Sequence, residues 1–198
     1  MQRKAYDTDL SDAEWNHLHP RLPKAKHGGR PRTTDLREVL NAVFYVSKSG
    51  CHWRLLPHDF PVWQTVYMYF RDWQDDGTWK TLHDFLRRKI RRADGRNGSA
   101  SAAIIDSQSV KASGEARKTG FDAGKKIKGR KRHILVDTLG LLIAVVIHSA
   151  DIQDRDGAKL VFKEAGSQSR LQLVWADGGY AGQLIDWTKK NMAGASKS

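Results

Sequence analysis

The chain has 198 residues, enough for one large domain or two small ones with buried cores. Its 34 Lys and Arg against 22 Asp and Glu give a formal charge of +12, which points to a polyanionic partner, most simply nucleic acid. A membrane span, a secretory leader and an internal disulfide are not expected. The richest apolar run, Leu139 to Ile147, is too short to cross a bilayer, Met1 to Asp9 is polar, and Cys51 is the single cysteine, so a cytoplasmic location is expected.

Residues 10 to 92 read as helices. Ser11 and Glu14 form a capping box with a staple from Leu10 to Trp15, so a helix is expected to start at Ser11. A second helix carries Leu36, Val39, Leu40, Val43 and Phe44 at helical spacing and ends at Gly50. Trp53 to Leu56 fits a very short third. Pro61 opens a fourth with Val62, Val66, Tyr69, Phe70 and Trp73 on one face, and a fifth runs from Thr78 to about Arg92. The tryptophans read as core rather than base-stacking residues.

Residues 93 to 100 are small, polar and glycine-containing, which marks a linker. The period then changes. A short strand is expected from Ala102 to Asp106. A hairpin of Lys131–Val136 and Leu141–His148 turns at Asp137 to Gly140. A helix from Asp156 to Ala165, a strand from Leu171 to Asp177 and a helix from about Gly182 to Lys190 complete the order. The fold class expected is α+β. A helical domain over residues 1–95 precedes an α/β mixed-sheet domain over residues 101–198.

Asp106 and Asp177 each close an apolar strand, a costly place for a lone charge. On neighbouring strands, two such carboxylates can share divalent ions about 4 Å apart, suited to phosphodiester chemistry. Oxygen-only ligands favour Mg²⁺ or Mn²⁺. The bland alternative is that both acids cap turns. Asp151, Asp154 and Asp156 form a denser cluster, read as carboxylates at a helix N-terminus.

Several segments read as DNA contacts. Gly124 to Arg132 carries Lys125, Lys126, Lys128, Arg130, Lys131 and Arg132, natural phosphate ligands, with a solvated charge run as the alternative. Arg87, Arg88, Lys89, Arg91 and Arg92 form a second basic cluster. Trp53 to Gly77 resembles a helix-turn-helix whose second helix would present Gln64, Tyr67, Met68 and Arg71. Arg30 and Arg32 sit in a Gly-Gly-Arg-Pro-Arg segment that reads as a minor-groove or phosphate-binding arm, or as a plain loop. His133 alternates with apolar strand residues and reads as structural. No His/Cys spacing suggests zinc, and Gly124 to Gly129 lacks the P-loop spacing.

Four stretches, Ile105–Lys111, Gly124–Leu142, Ala150–Ala158 and Trp175–Gly182, together resemble the DDE transposases of insertion sequence family 5. The resemblance runs from about Leu10 to Met192. It implies an RNase H-like catalytic domain with the first Asp on its first strand and the second on its fourth. By resemblance these are Asp106 and Asp177, with a Glu on a later helix completing a magnesium or manganese site. The implied activity is cleavage at transposon inverted-repeat ends and transfer of the freed 3′-hydroxyl to target DNA, by a homo-oligomer on DNA in the nucleoid.

The third acid is expected to be missing, so the RNase H-like domain is expected to be incomplete and the transposase truncated and inactive alone. Ala193 to Ser198 depart from the family pattern Gly-Trp-x-Leu-Glu-Ile-Val. One coding of these residues, shifted by a base, restores Gly-Trp-Ser-Leu-Glu-Ile-Val, which suggests a frame change. Glu115, Glu164 and Asp186 are the only substitutes in view. Three readings stay open: an active transposase whose third acid comes from a continuation or partner chain, a non-catalytic DNA-binding fragment that represses transposition, and a product without function. A half-built sheet would also leave an uncovered apolar face, with poor solubility or dimerisation as the expected result.

Overall fold

A computed structural model describes residues 3–25, 28, 31–112, 119–166, 170–180 and 188. The chain divides into two compact units, Met1–Phe85 and Leu86–Ser198. The division precedes the expected linker because Arg91 and Ala100 are both anchored in the second unit. Arg91 pairs with Asp137, and Ala100 joins the core beside the sheet.

The first unit is helical. The capping box forms as the sequence dictates: Ser11 Oγ accepts from the Glu14 amide at 3.3 Å, and Glu14 Oε2 accepts from the Ser11 amide at 2.8 Å. It starts α1, Asp12–Leu18. Asp35 caps α2, Leu36–Ser49, and Gly50 ends it at φ 69°, a left-handed conformation that favours glycine. Trp53–Leu55 is a single 3₁₀ turn. Helix α3 spans Trp63–Asp75, two residues later than the expected start at Pro61, with Val62 as its cap. Helix α4 spans Thr78–Ala93.

Two apolar clusters hold this unit. Leu10, Leu18, Leu22, Val39, Leu40, Trp73 and Leu82 form one, and Ala42, Val43, Leu56, Phe60 and Val66 the other. Trp15 and Trp79 pack on the first, and Trp53 and Trp63 on the second, so the tryptophans serve the core.

The second unit is built on a mixed sheet. Strand β1, Ala102–Lys111, lies between β3, Ile127–Asp137, and β5, Leu173–Trp175. It is antiparallel to β3 and parallel to β5. The far edge of β3 carries β2, Gly120–Asp122, and then β4, Leu142–Ser149. Helix α5, Asp154–Ala165, covers one face, packing Ala158, Val161, Phe162 and Ala165 on Ala103, Ile105, Leu135, Ile143 and Ala144.

Three features differ from the sequence expectation. Strand β1 continues five residues past Asp106, through Ser-Gln-Ser-Val-Lys, because each partner on β3 is itself extended. The basic segment is part of β3 from Ile127 on, rather than a loop leading into it. The short β2 makes the strand before Asp177 fifth in the chain, not fourth. The expected helix from Gly182 lies almost wholly outside the described residues.

Close backbone contact fixes the β1–β3 seam at Gly129. A Cβ there would meet the Val110 carbonyl oxygen at 1.9 Å, far inside contact distance. No helix among the described residues is long and apolar enough to cross a membrane.

Candidate active site

Strand alternation sorts β1 into two sets. Ala103, Ile105 and Ser107 are buried under α5, whereas Ile104, Asp106 and Gln108 are exposed on the opposite face. Asp106 therefore stands in mid-strand on the open face. The parallel pairing of β1 with β5 matches Ala103 to Val174 and Ile104 to Trp175. Continued by two residues, that register sets Asp106 level with Asp177.

Both acids are exposed. Asp106 Oδ1 accepts from the Ser107 amide at 2.7 Å, and Asp177 Oδ1 from the Gly179 amide at 2.9 Å. Neither pairs with a lysine or arginine among the described residues, so both keep lone pairs for another cation. Unpaired, hard oxygen donors of this kind fit a divalent ion such as Mg²⁺ or Mn²⁺. They do not complete a coordination set: no group of three or more His, Cys, Asp or Glu suited to a metal occurs among the described residues. Of the substitute acids, Glu164 is exposed on α5, and Glu115 and Asp186 lie outside the described residues.

Beneath the pair, on the buried side, lies a polar network that the sequence reading missed. Lys131 is 4 % exposed, and its Nζ lies 2.9 Å from Asp154 Oδ1 and 3.2 Å from Asp122 Oδ2. Burial lowers the Lys131 pKa, but bonds to Asp154 and Asp122 outweigh it and raise the pKa overall. For Asp122, burial raises the pKa, yet bonds from Ser109, the Lys125 amide and Lys131 hold it down at about 2. Asp154 does not cap its helix; Gln153 occupies the cap position without a side-chain bond. Asp154 Oδ1 instead also accepts from Ser107 Oγ at 3.2 Å.

His133 and Tyr180 extend this network. His133 Nδ1 meets the Tyr180 hydroxyl at 3.0 Å, and His133 Nε2 is buried with no hydrogen-bond partner among the described residues. Burial and the stacked His148 ring hold His133 down at about 4. Burial pushes the Tyr180 hydroxyl well up against an opposing bond from Ser107, and the charges of Asp154, Asp177 and Asp106 add to that rise.

The expected DNA contacts separate into groups. Lys128, Arg130 and Arg132 are exposed at alternate positions of β3, on the face that carries Asp106. Arg132 Nη2 donates to Gln108 Oε1 at 2.7 Å. Lys125 and Lys126 are exposed in the β2–β3 turn, and Lys125 Nζ donates to the Ser107 carbonyl at 2.9 Å. Lys131 faces the other way, and its charge is committed to two carboxylates, so it is not presented to a phosphate. Arg91 is likewise buried against Asp137. On α3, Gln64 and Arg71 are exposed, while Tyr67 is half-buried beside Trp53 and hydrogen-bonded to Arg71. Arg32 donates to the Pro23 carbonyl at 3.0 Å, and Arg30 lies outside the described residues.

Two comparisons bear on this arrangement. Residues 10–83 match the family model for IS4/5 transposases, and residues 97–193 match the transposase DDE domain. The chain is 34 % identical over 118 residues to the insertion element IS402 uncharacterized 16.2 kDa protein of Burkholderia cepacia, covering 56 % of this chain and 78 % of that one. The chain belongs to the IS4/5 transposase family. Its second unit is accordingly a DDE, RNase H-like domain, and the mixed sheet with its helix is the expected α+β architecture. A DDE domain uses divalent metal in general, which agrees with the donor chemistry of the two unpaired carboxylates.

Proposed function

We propose that this transposase binds transposon ends and cuts and joins DNA strands in a divalent-metal reaction held by Asp106 and Asp177. The observation that supports the reading is the parallel β1–β5 register, which pairs Ile104 with Trp175 and, extended by two residues, would match Asp106 to Asp177. Asp106 and Asp177 would hold Mg²⁺ or Mn²⁺ through carboxylate oxygens. When bound, such ions make an attacking hydroxyl more acidic and stabilise a leaving oxygen. Lys128, Arg130 and Arg132 would hold phosphates of the DNA strand across the same sheet face. In the helical unit, Gln64, Tyr67 and Arg71 of α3 would read the end sequence, with Arg30, Arg32, Lys125 and Lys126 as further backbone contacts. A homo-oligomer on DNA would bring two ends together.

The test is cleavage of DNA carrying the element's ends, with Mg²⁺ or Mn²⁺. Asp106→Asn and Asp177→Asn are each expected to abolish metal-dependent nicking while leaving end binding intact. Nicking that survives both substitutions would refute the assignment.

A second reading is favoured by one observation: the described residues contain no group of three or more His, Cys, Asp or Glu that could hold a metal. A chain that binds ends without cutting them would occupy those ends and repress transposition. Salt-sensitive binding specific to the ends, with no nicking by the unmodified chain under either metal, would support it.

A further inference from the structure

The backbone ladder between β1 and β5 stops at the Ile104–Trp175 pair, two residues short of the acids. Beyond it, no strand pairing holds Asp106 to Asp177. Two side chains join the segments: Tyr180 of the Asp177 turn bonds Ser107 directly, and Asp154 reaches both. Asp154 Oδ1 accepts from Ser107, the residue after Asp106, at 3.2 Å. Asp154 Oδ2 lies against Gly179, two residues after Asp177. A Cβ at Gly179 would sit 3.3 Å from that oxygen and 3.1 Å from Asp177 Oδ1, so a bare glycine keeps the two carboxylates in one niche.

Asp154 is itself held from behind. Buried Lys131 binds its Oδ1, and Asp122 and the Ile152 carbonyl hold the same ammonium group. A second tie runs in parallel. Tyr180 donates its amide to the Asp177 carbonyl at 3.2 Å, and its hydroxyl meets His133 on β3.

We propose that Asp154, held by Lys131, is a positioning residue that sets the separation of Asp106 and Asp177. The inference rests on the reading of those two acids as the metal-holding pair. Asp154 bridges the β1 segment and the Asp177 turn where the sheet no longer joins them. It fixes the spacing through Ser107 on one side and the Gly179 niche on the other. Residues that orient metal-holding groups typically change metal affinity when they are altered, even though they touch no metal.

The experiment is Mn²⁺ binding to the full chain without DNA, read from the electron paramagnetic resonance signal of free Mn²⁺. Folding of every variant is checked by circular dichroism at the assay temperature. Asp106→Asn and Asp177→Asn must each weaken binding; if neither does, the metal-holding reading itself falls. Given that they do, Asp154→Asn and the uncharged change Ser107→Ala are each expected to weaken Mn²⁺ binding roughly tenfold. Because Ser107→Ala alters no charge, unchanged binding in that variant overturns the proposal. Lys131→Met adds a test of sign. Loss of a cation near the acids predicts tighter Mn²⁺ binding by charge alone, whereas loss of the brace predicts weaker binding. Tighter binding in folded Lys131→Met also overturns the proposal, and if that variant does not fold, Ser107→Ala decides.

Discussion

Arg91 Nη1 lies 2.6 Å from Asp137 Oδ2, with both side chains buried. Asp137 Oδ1 also accepts from the Leu139 and Leu141 amides at 2.9 and 3.0 Å, so the carboxylate closes the β3–β4 hairpin as well. Arg91 Nε donates to the Asn97 carbonyl, which fastens the end of α4 to the segment that enters β1. Breaking one side of such a pair leaves a buried charge uncompensated. Arg91→Met is expected to destabilise the second unit by about 3–5 kcal/mol, measured by urea unfolding. A loss within about 0.5 kcal/mol, the range of ordinary surface substitutions, would show that the pair does not hold this corner.

Gly157 lies in the interior of α5, where alanine would normally be preferred by about 1 kcal/mol. Its neighbour reverses that preference. A Cβ on Gly157 would fall 2.3 Å from His133 Nε2, inside a buried ring with no room to retreat. Gly157→Ala is therefore expected to destabilise by about 1–3 kcal/mol, seen as a lower Tm. A raised Tm would mean that the ring moves aside freely.

Acid should act on the second unit through His133. Its folded pKa is held down at about 4, below the ordinary histidine value of 6.5. A depressed histidine favours the neutral form, so the fold keeps this contribution above pH 6.5 and loses it as pH falls towards 4. His148, Asp154, Lys131 and Lys125 are the titrating groups around it. The loss is up to about 3 kcal/mol, at about 1.4 kcal/mol per pKa unit. Unfolding free energies measured from pH 7 to pH 4 should fall steeply, and the slope should flatten in His133→Gln. An equal slope in both chains would place the acid sensitivity elsewhere.

Arg130 and Arg132 test the basic face. Each Arg→Ala change should weaken DNA binding about equally for end and unrelated sequences and reduce the salt slope by about one. The measurement is a fluorescence anisotropy titration at several salt concentrations. An unchanged salt slope would remove these residues from the phosphate contacts.

The apolar side of that face should promote association. Val110 and Ile147 are 52 % and 61 % exposed and line one groove with Gln108, Arg130 and Arg132. Such a patch favours self-association or covering by another segment. Ile147→Lys is expected to lower the concentration-dependent sedimentation of the full chain. A chain that is already monodisperse and monomeric would show that this face is not sticky.

The helical unit was largely legible in the sequence because its signals are local. Ser11, Glu14, Asp35 and Gly50 mark helix ends through bonds to residues a turn away. Asp106 and Asp177 stand out in the sequence because each follows an apolar run. The length of β1 was not, because Ser107, Gln108 and Ser109 have little strand propensity and are extended only through pairing with β3. Lys131 was hidden inside a basic run that looks uniformly solvated, although strand alternation turns every second residue inward. Asp154 does stand in the first turn of α5, as the sequence indicates, but its partners Lys131 and Ser107 are distant in sequence and leave no local signal. A lysine in phase with buried His133 and Leu135 was the one available clue.

Gly129 carries a consequence for how the sheet can misassemble. Sliding β3 by one residue along β1 would bring Lys128 or Arg130 against the Val110 carbonyl, where even a methyl group has no space. The same slip would turn Lys131 and His133 out to solvent and drive arginines under α5. A single missing side chain thus serves as a steric key for registry. It decides which cations face the sheet surface proposed to hold DNA, and a mutation there should yield a misfolded chain rather than a folded one with weaker DNA binding.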